Sequence, residues 1–362
     1  MHSDTARHQR LAGVGCRLAA VGARLGELAE RDIVGWRVIR RLGPLRLLRV
    51  TTFLYLVAHM ARIVAFDAPY LMDPAQPGTD ISTYYAAGQR LRDGHPLYAL
   101  SPGDYDVPLD PPYTTVPLLS PPIIGAVWRP LATLLPADVA IHLWFVVTFT
   151  VFVGTLVWLI RTGSPVRLGL ILLLAPALAL SALSGDINTL LGPLLVGAWF
   201  AARRGRWDLA GGAVAVAAAM KLTPIFFLLW LAVFGGRRGL AGFAAGIAAM
   251  ALVSLAGAGW DNHVAYLDVI RYTSTGGMSA WSVSGALAGA GVPAPWPTIA
   301  LGFVALLGAA AVLALRARPR IAFAITALVS VYIGPVVHLV TLALLLPALA
   351  PWHARPEGPR DA

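Results

Sequence analysis

Residues 139 to 160 read VAIHLWFVVTFTVFVGTLVWLI, and His142 is the only ionisable side chain among them. A helix crossing the hydrocarbon core of a bilayer needs roughly 20 mostly apolar residues, a length this run reaches without its flanks. Similar runs begin near residues 47, 239 and 298, with shorter ones between them. The whole chain has 362 residues, is 57% hydrophobic and 13% charged, and has a mean hydropathy of +0.70. That is too apolar for a soluble domain of ordinary makeup. Backbone groups in lipid must be satisfied within a helix or around a closed barrel, and nothing here alternates with period two as barrel strands do. The sequence therefore predicts an all-α polytopic membrane protein with about ten transmembrane helices. His59 and His142, inside apolar runs, read as inward-facing packing residues with one satisfied hydrogen bond. Trp128, Trp144, Trp158, Trp199 and Trp230 read as interfacial aromatics.

Charge orients the chain. Residues 1–49 hold ten Arg against four acids, whereas residues 67–115 hold seven Asp against two Arg. Further Arg clusters stand at 203–206, 237–238 and 316–320. The positive-inside rule places the N-terminus and these clusters in the cytoplasm and the acidic segment outside, as expected of a multi-pass plasma-membrane protein. Four apolar stretches separate the acidic loop from Arg203: residues 116–135, 139–160, 168–183 and 188–202. Four crossings would put Arg203 on the wrong side, so one stretch must be re-entrant or half-buried. The prolines at 121, 122, 130 and 176 make either end of the group a candidate. Residues 208–234, two short apolar runs flanking MKLTP, also read as a broken segment lining a cavity. The expected organisation is a cytosolic amphipathic segment over 1–46, a transmembrane domain over 47–351 with outer loops at about 67–115 and 260–297, and a cytosolic tail over 352–362.

The N-terminal segment has its own period. Leu11, Val14, Leu18, Val21, Leu25 and Leu28 fall at alternating steps of three and four, while Arg10, Arg17, Arg24 and Arg31 recur every seven. That is an amphipathic helix with an arginine edge, suited to the anionic inner leaflet or to a short coiled coil. No short apolar core with a small-residue cleavage site precedes the first run, which reads as an uncleaved anchor. Cys16 is the only cysteine, so no internal disulfide or cysteine-based metal site is possible.

The acidic loop contains GTDISTYYAAGQRLRDGHPLY at residues 78–98, which is unlike the greasy sequence before it. It is followed by DPPYTTVPLLSPPIIGAVWRPLATLLPADVAIHLW, SGDINTLL, GGAVAVAAAMKLTPIFFLLWLAVFGGRR, GGMSAWSVSGAL and YIGPVVHLVTLALLLPAL. In this order and spacing the pieces resemble the bacterial GT-C glycosyltransferases of family eighty-seven, the polyprenyl-phosphate-sugar-dependent mannosyl and arabinofuranosyl transferases of actinobacteria. The resemblance covers roughly residues 50 to 350. It implies a GT-C type bundle with re-entrant or broken segments and extracytoplasmic loops, whose first outer loop carries a catalytic Asp, matched here by Asp80. It also implies transfer from a polyprenyl-phosphate sugar to a glycolipid or polysaccharide acceptor, with mannose ahead of arabinofuranose. The family often has Gly-Gln-x-Asn where this chain has Gly185-Asp186-Ile187-Asn188, and a paired His where only His338 stands here.

The chemistry can be reasoned from the residues as well. A sugar on a polyprenyl phosphate already has a good leaving group, so the acceptor hydroxyl is the difficulty, and one carboxylate can take its proton as general base. A single in-line displacement inverts the anomeric centre, unlike the two-carboxylate retaining hydrolases. Developing phosphate charge calls for cations, and Arg62, Arg90, Arg92, Lys221 and His338 are available. Lys221 is the only lysine of the chain and sits between two apolar runs, where an ammonium is costly and functional by default. Asp186 and Asn188 form a polar tip between short apolar stretches. Tyr84 and Tyr85, beside Asp80, are further candidate substrate contacts. Asp80 also suits a helix N-cap before ISTYYAAGQRL, a role compatible with catalysis. Asp73, Asp93, Asp104, Asp106 and Asp110 read as solvated loop charges. DYDVPLD at 104–110 lacks a ligand-dense loop, so no metal and no cofactor are expected, and no nucleic-acid partner. Trp260, Trp281 and Trp296, in or beside the second outer loop, could stack on a sugar or cover a lipid groove. The competing reading is a transporter or lipid flippase, which should show inverted repeats and midmembrane charge; no repeated half is visible.

Overall fold

The structure, a computed structural model, describes residues 34–67, 80–98, 118–274 and 282–353. The amphipathic N-terminal pattern with Cys16, Asp73, the 104–110 stretch and Trp281 lie outside these residues. The chain forms two compact units, Met1–Val50 and Thr51–Ala362. In the first, helix α1 (Val34–Arg62) begins and breaks at Gly43, whose φ of 70° is left-handed and which precedes Pro44. The rest of α1, from Thr51, belongs to the second unit.

The described elements are all helical, and the only β pairing among them is an isolated bridge between Gly163 and His353. Helices α2 (Asp80–Arg92) and α3 (Ile123–Leu134) precede α4 (Ala137–Arg161), α5 (Pro165–Ser184), α6 (Asn188–Arg203) and α7 (Trp207–Met220). A run of 3-10, α and π turns follows from Thr223 to Gly235, with α8 (Phe227–Trp230) inside it. Then come α9 (Gly236–Ala258), α10 (Trp260–Ser274), α11 (Val283–Gly289), α12 (Trp296–Ala314), α13 (Pro319–Tyr332), a 3-10 run Leu339–Leu345 and α14 (Leu346–Leu349). Five of the described helical runs are long and apolar enough to cross a membrane, the longest being Thr223–Ala258. That run is folded back on itself at Gly236 (φ 53°), which sets Gly239 against the Leu231 side chain.

Contacts define two ends for the second unit. At one, Ser164 Oγ donates to the Trp352 carbonyl (2.9 Å), Arg203 Nη1 lies 2.8 Å from His353 Nε2, and Gly235 abuts the Trp207 ring. The turns after α5, α7 and α13 meet at the other end, around a single cavity. Nine segments thus run between the ends: α4, α5, α6, α7, 223–235, α9, α12, α13 and 339–349. Arg161, Arg203–Arg206, Arg237–Arg238 and Arg316–Arg320 gather at the end away from the cavity.

Helix α3 does not run between the two ends. Its 12 residues extend only about 18 Å, short of the roughly 30 Å hydrocarbon core. Pro121 at its start lines the cavity, and its far end passes into α4 through Leu135 and Pro136, so both ends stay on the cavity side. Among the described residues, 118–135 are therefore the stretch that does not run between the two ends. Helices α7 and α9 run in parallel at very close range: a Cβ on Gly242 would lie 2.1 Å from the Asp208 carbonyl oxygen, and one on Gly211 would lie 2.1 Å from that of Gly239. Small residues at such a seam let two backbones pack where lipid supplies no hydrophobic drive.

Two expectations are corrected here. Trp128, Trp199 and Trp230 are buried rather than interfacial. Trp199 and Trp230 pack on Phe323 at centroid distances of 4.8 Å each, filling the space where α6, α8 and α13 meet. His142 faces outward instead of inward, its ring bonded to the Asp138 carbonyl one turn back (2.6 Å).

Candidate active site

Asp80 opens α2, where a carboxylate in the first turn meets the positive end of the helix dipole. Residues 81–88 are buried because α2 lies directly on α3. A Cβ on Gly88 would stand 2.6 Å from the Trp128 carbonyl oxygen, so only glycine permits this approach. Tyr85 Oη donates to the Leu135 carbonyl (3.0 Å) and Arg92 Nη1 to that of Ala132 (2.9 Å), fixing α2 along its length.

The neighbouring Tyr84 turns the other way. Its hydroxyl accepts the Ile187 N–H (3.4 Å), and its ring packs among Trp128 and Trp144, whose Nε1 donates to the Gly185 carbonyl (2.8 Å). Gly185 ends α5 in the left-handed region (φ 62°), and a Cβ there would come within 2.2 Å of Ile81 Cδ1. The turn that follows is thereby pressed against the start of α2. In it, the Asp186 carboxylate accepts both the backbone and the side-chain N–H of Asn188, and Asn188 Oδ1 accepts from Lys221 Nζ at 3.0 Å. Lys221 is extended (φ −149°, ψ 127°) at the end of α7, and Pro224 begins the next turn, so the helix cannot run through. His338 stands in the break between α13 and the 3-10 run, its N–H donating to Thr341 Oγ1 (3.1 Å).

Asp80, Tyr84, Asp186, Asn188, Lys221 and His338 all line the same cavity, of about 510 Å³. Burial pushes the Asp80 carboxyl above the ordinary aspartate range, and Lys221 and His338 oppose the rise. Asp186 is likewise raised by burial and by the charge of Asp80, while burial pulls Lys221 down against the two carboxylates. Two acids and one base thus hold one another in a poorly hydrated space.

Tyr85, Arg62, Arg90 and Arg92 do not line the cavity. Adjacent residues on a helix point about 100° apart, which sends Tyr85 into α3. Arg90 and Arg92 sit about 15 Å along α2 from Asp80, where Arg90 Nε donates to the Pro96 carbonyl (2.8 Å) and Arg92 pairs with Asp93 (2.8 Å). Arg62 is exposed on α1. Conversely, Tyr266, Ile270 and Thr273 of α10 supply a wall that sequence reasoning missed. Their spacing of four and three puts them on one helical face, a signal present in the sequence but without a visible destination. The DGHPLY motif anchors that helix: the Leu97 N–H donates to Asn262 Oδ1 (2.7 Å), and Tyr98 packs on Tyr266 at 5.6 Å.

Comparison with protein families matches residues 119–341 to glycosyltransferase family 87. The chain belongs to that family. It is accordingly a glycosyltransferase. The matched stretch holds Asp186, Asn188, Lys221 and His338 of this family 87 transferase, while Asp80 lies upstream of it. Comparisons with curated proteins and with solved structures gave no match.

Proposed function

We propose that this family 87 transferase moves a sugar from a polyprenyl-phosphate donor to a glycolipid or polysaccharide acceptor on the outer side of the plasma membrane, with mannose ahead of arabinofuranose as the sugar. One observation carries the reading: a carboxylate, the single lysine of the chain and a histidine share one cavity, at the end opposite to the arginine clusters. In the proposed step the acceptor oxygen attacks the anomeric carbon, the bond from that carbon to the phosphate oxygen breaks, and Asp80 takes the hydroxyl proton. The configuration inverts. Lys221 and His338 receive the phosphate as its charge grows, and the apolar wall from α10 and α12 suits a lipid-borne substrate.

The direct test offers the purified protein radiolabelled polyprenyl-phosphate mannose and, separately, the arabinose donor, with lipid and polysaccharide acceptors. Transfer from one of these donors is expected, and transfer only from a nucleotide sugar would overturn the reading. The same assay is expected to run at an undiminished rate in a chelator. Among the described lining residues, the two carboxylates share their space with an ammonium that repels a divalent cation. Strong inhibition by chelation would contradict this.

Orientation has a separate test. In a Cys16→Ser background, His95→Cys should react with a membrane-impermeant thiol reagent on intact cells, and Arg204→Cys should not. Both positions are exposed, and the positive-inside rule puts them on opposite sides. Labelling of Arg204→Cys would invert the assignment.

A further inference from the structure

Asp186 lines the cavity, and Asn188 engages both of its oxygens: one accepts the Asn188 backbone N–H and the other the Asn188 side-chain N–H. It is almost wholly buried, as is Asn188, whereas Lys221 is half-buried. The amide of Asn188 has no choice of orientation in this setting. A carboxylate only accepts and an ammonium only donates, so Nδ2 must face Asp186 and Oδ1 must face Lys221. Lys221 Nζ is held at 3.0 Å by that oxygen and carries three protons, of which this contact uses one. A flexible four-carbon stem at a helix break is thereby given one direction, and its remaining N–H groups are available to the cavity.

We infer that Asp186 is a positioning residue for the donor phosphate: it fixes Asn188, and through Asn188 the ammonium of Lys221, without itself contacting the donor. This rests on the polyprenyl-phosphate reading above. The negative charge of Asp186 also offsets that of Lys221 in the empty site, so that a side chain able to bind a phosphate is kept in place when none is bound. Replacing the carboxylate by an amide of the same size reverses the relay. Asp186→Asn would present an N–H to Asn188, favouring a flipped Asn188 amide whose Nδ2 then meets the Lys221 ammonium, donor against donor.

The experiment uses the full chain and a probe that needs no chemistry, a polyprenyl phosphate without sugar, and measures its dissociation constant by direct binding. Lys221→Met is expected to weaken binding about tenfold, the loss of one charge-assisted contact, and Asp186→Asn by a similar factor. In the Lys221→Met background, Asp186→Asn should add nothing, because its effect passes through the missing ammonium. Asn188→Ala cuts the same link from the other side and should behave identically, which covers a failure of Asp186→Asn to fold. Overturning results are unchanged binding in Asp186→Asn and Asn188→Ala, or an equal tenfold loss from either in the Lys221→Met background, which would mean direct donor contact or a general structural role. A wild-type protein that binds no polyprenyl phosphate would remove the donor reading and this inference together. Binding that depends on Lys221 but not on Asp186 would remove the inference alone.

Discussion

Asp80→Asn is expected to lower turnover by roughly 100-fold or more while leaving donor binding nearly intact. The substitution keeps the size of the side chain and its place in the first turn of α2, and removes only the capacity to take a proton. Lys221→Met and His338→Phe should differ, weakening donor binding as well as slowing turnover, because both line the cavity and in the proposed step hold the phosphate in ground and transition states alike. The pH profile provides an internal check. Burial raises the Asp80 carboxyl, so the basic form is lost as pH falls through a value above that of a solvated aspartate, and kcat/KM should decline on the acid side sooner than such a residue would allow. Single-turnover rates and donor binding on all three variants measure the separation. An Asp80→Asn protein with unchanged turnover would remove the proposed mechanism.

Arg167→Met is expected to destabilise the protein by about 3 kcal/mol or more, with the damage at the end of the bundle away from the cavity. Arg167 is fully buried on α5, and no carboxylate approaches it among the described residues. Its guanidinium instead donates to the carbonyls of Leu349 (2.8 Å), Ala350 (2.6 Å) and Leu159 (3.2 Å), and to Thr162 Oγ1 (2.9 Å). These carbonyls lie at the C-terminal ends of α14 and α4, where helices leave acceptors short of intrahelical donors and carry partial negative charge. One side chain therefore caps two helices and ties them to a third. Methionine fills much of the stem's volume and satisfies none of the acceptors. Arg167→Lys should recover only part of the loss, since a single ammonium cannot reproduce the planar fork. Thermal unfolding of purified protein measures the effect, and an unchanged midpoint in Arg167→Met would refute the capping role.

Residues 139–160 alone decided that the chain is helical and crosses a membrane, because an uninterrupted apolar run of that length has no other stable form in lipid. The spacing of arginine clusters predicted that one of four apolar stretches does not cross, but prolines marked several, and it was packing that singled out α3. A helix of 12 residues lying on α2 is long enough to bury an apolar face and too short to span. Lys221 was legible as a candidate because an ammonium is expensive between apolar runs, Asp80 through the resemblance of its loop to the family 87 transferases, and His338 as one of few cations available for a phosphate. Their convergence was not legible, since His338 and Asp80 belong to segments far apart in the chain that meet only through the turns at one end of the bundle. Tyr85, Arg90 and Arg92 shared the loop with Asp80 and were turned away from the cavity by helical phase and distance. The physical reason is general to such chains. In lipid the outward face of a helix is as apolar as the inward one, so hydrophobic periodicity does not say which way a residue points. Trp199 and Trp230, indistinguishable in sequence from interfacial tryptophans, lie in the core for that reason. The sequence determined what kind of solvent this protein needs and which side chains are too costly to be idle there; only the tertiary structure decided which of them face one another.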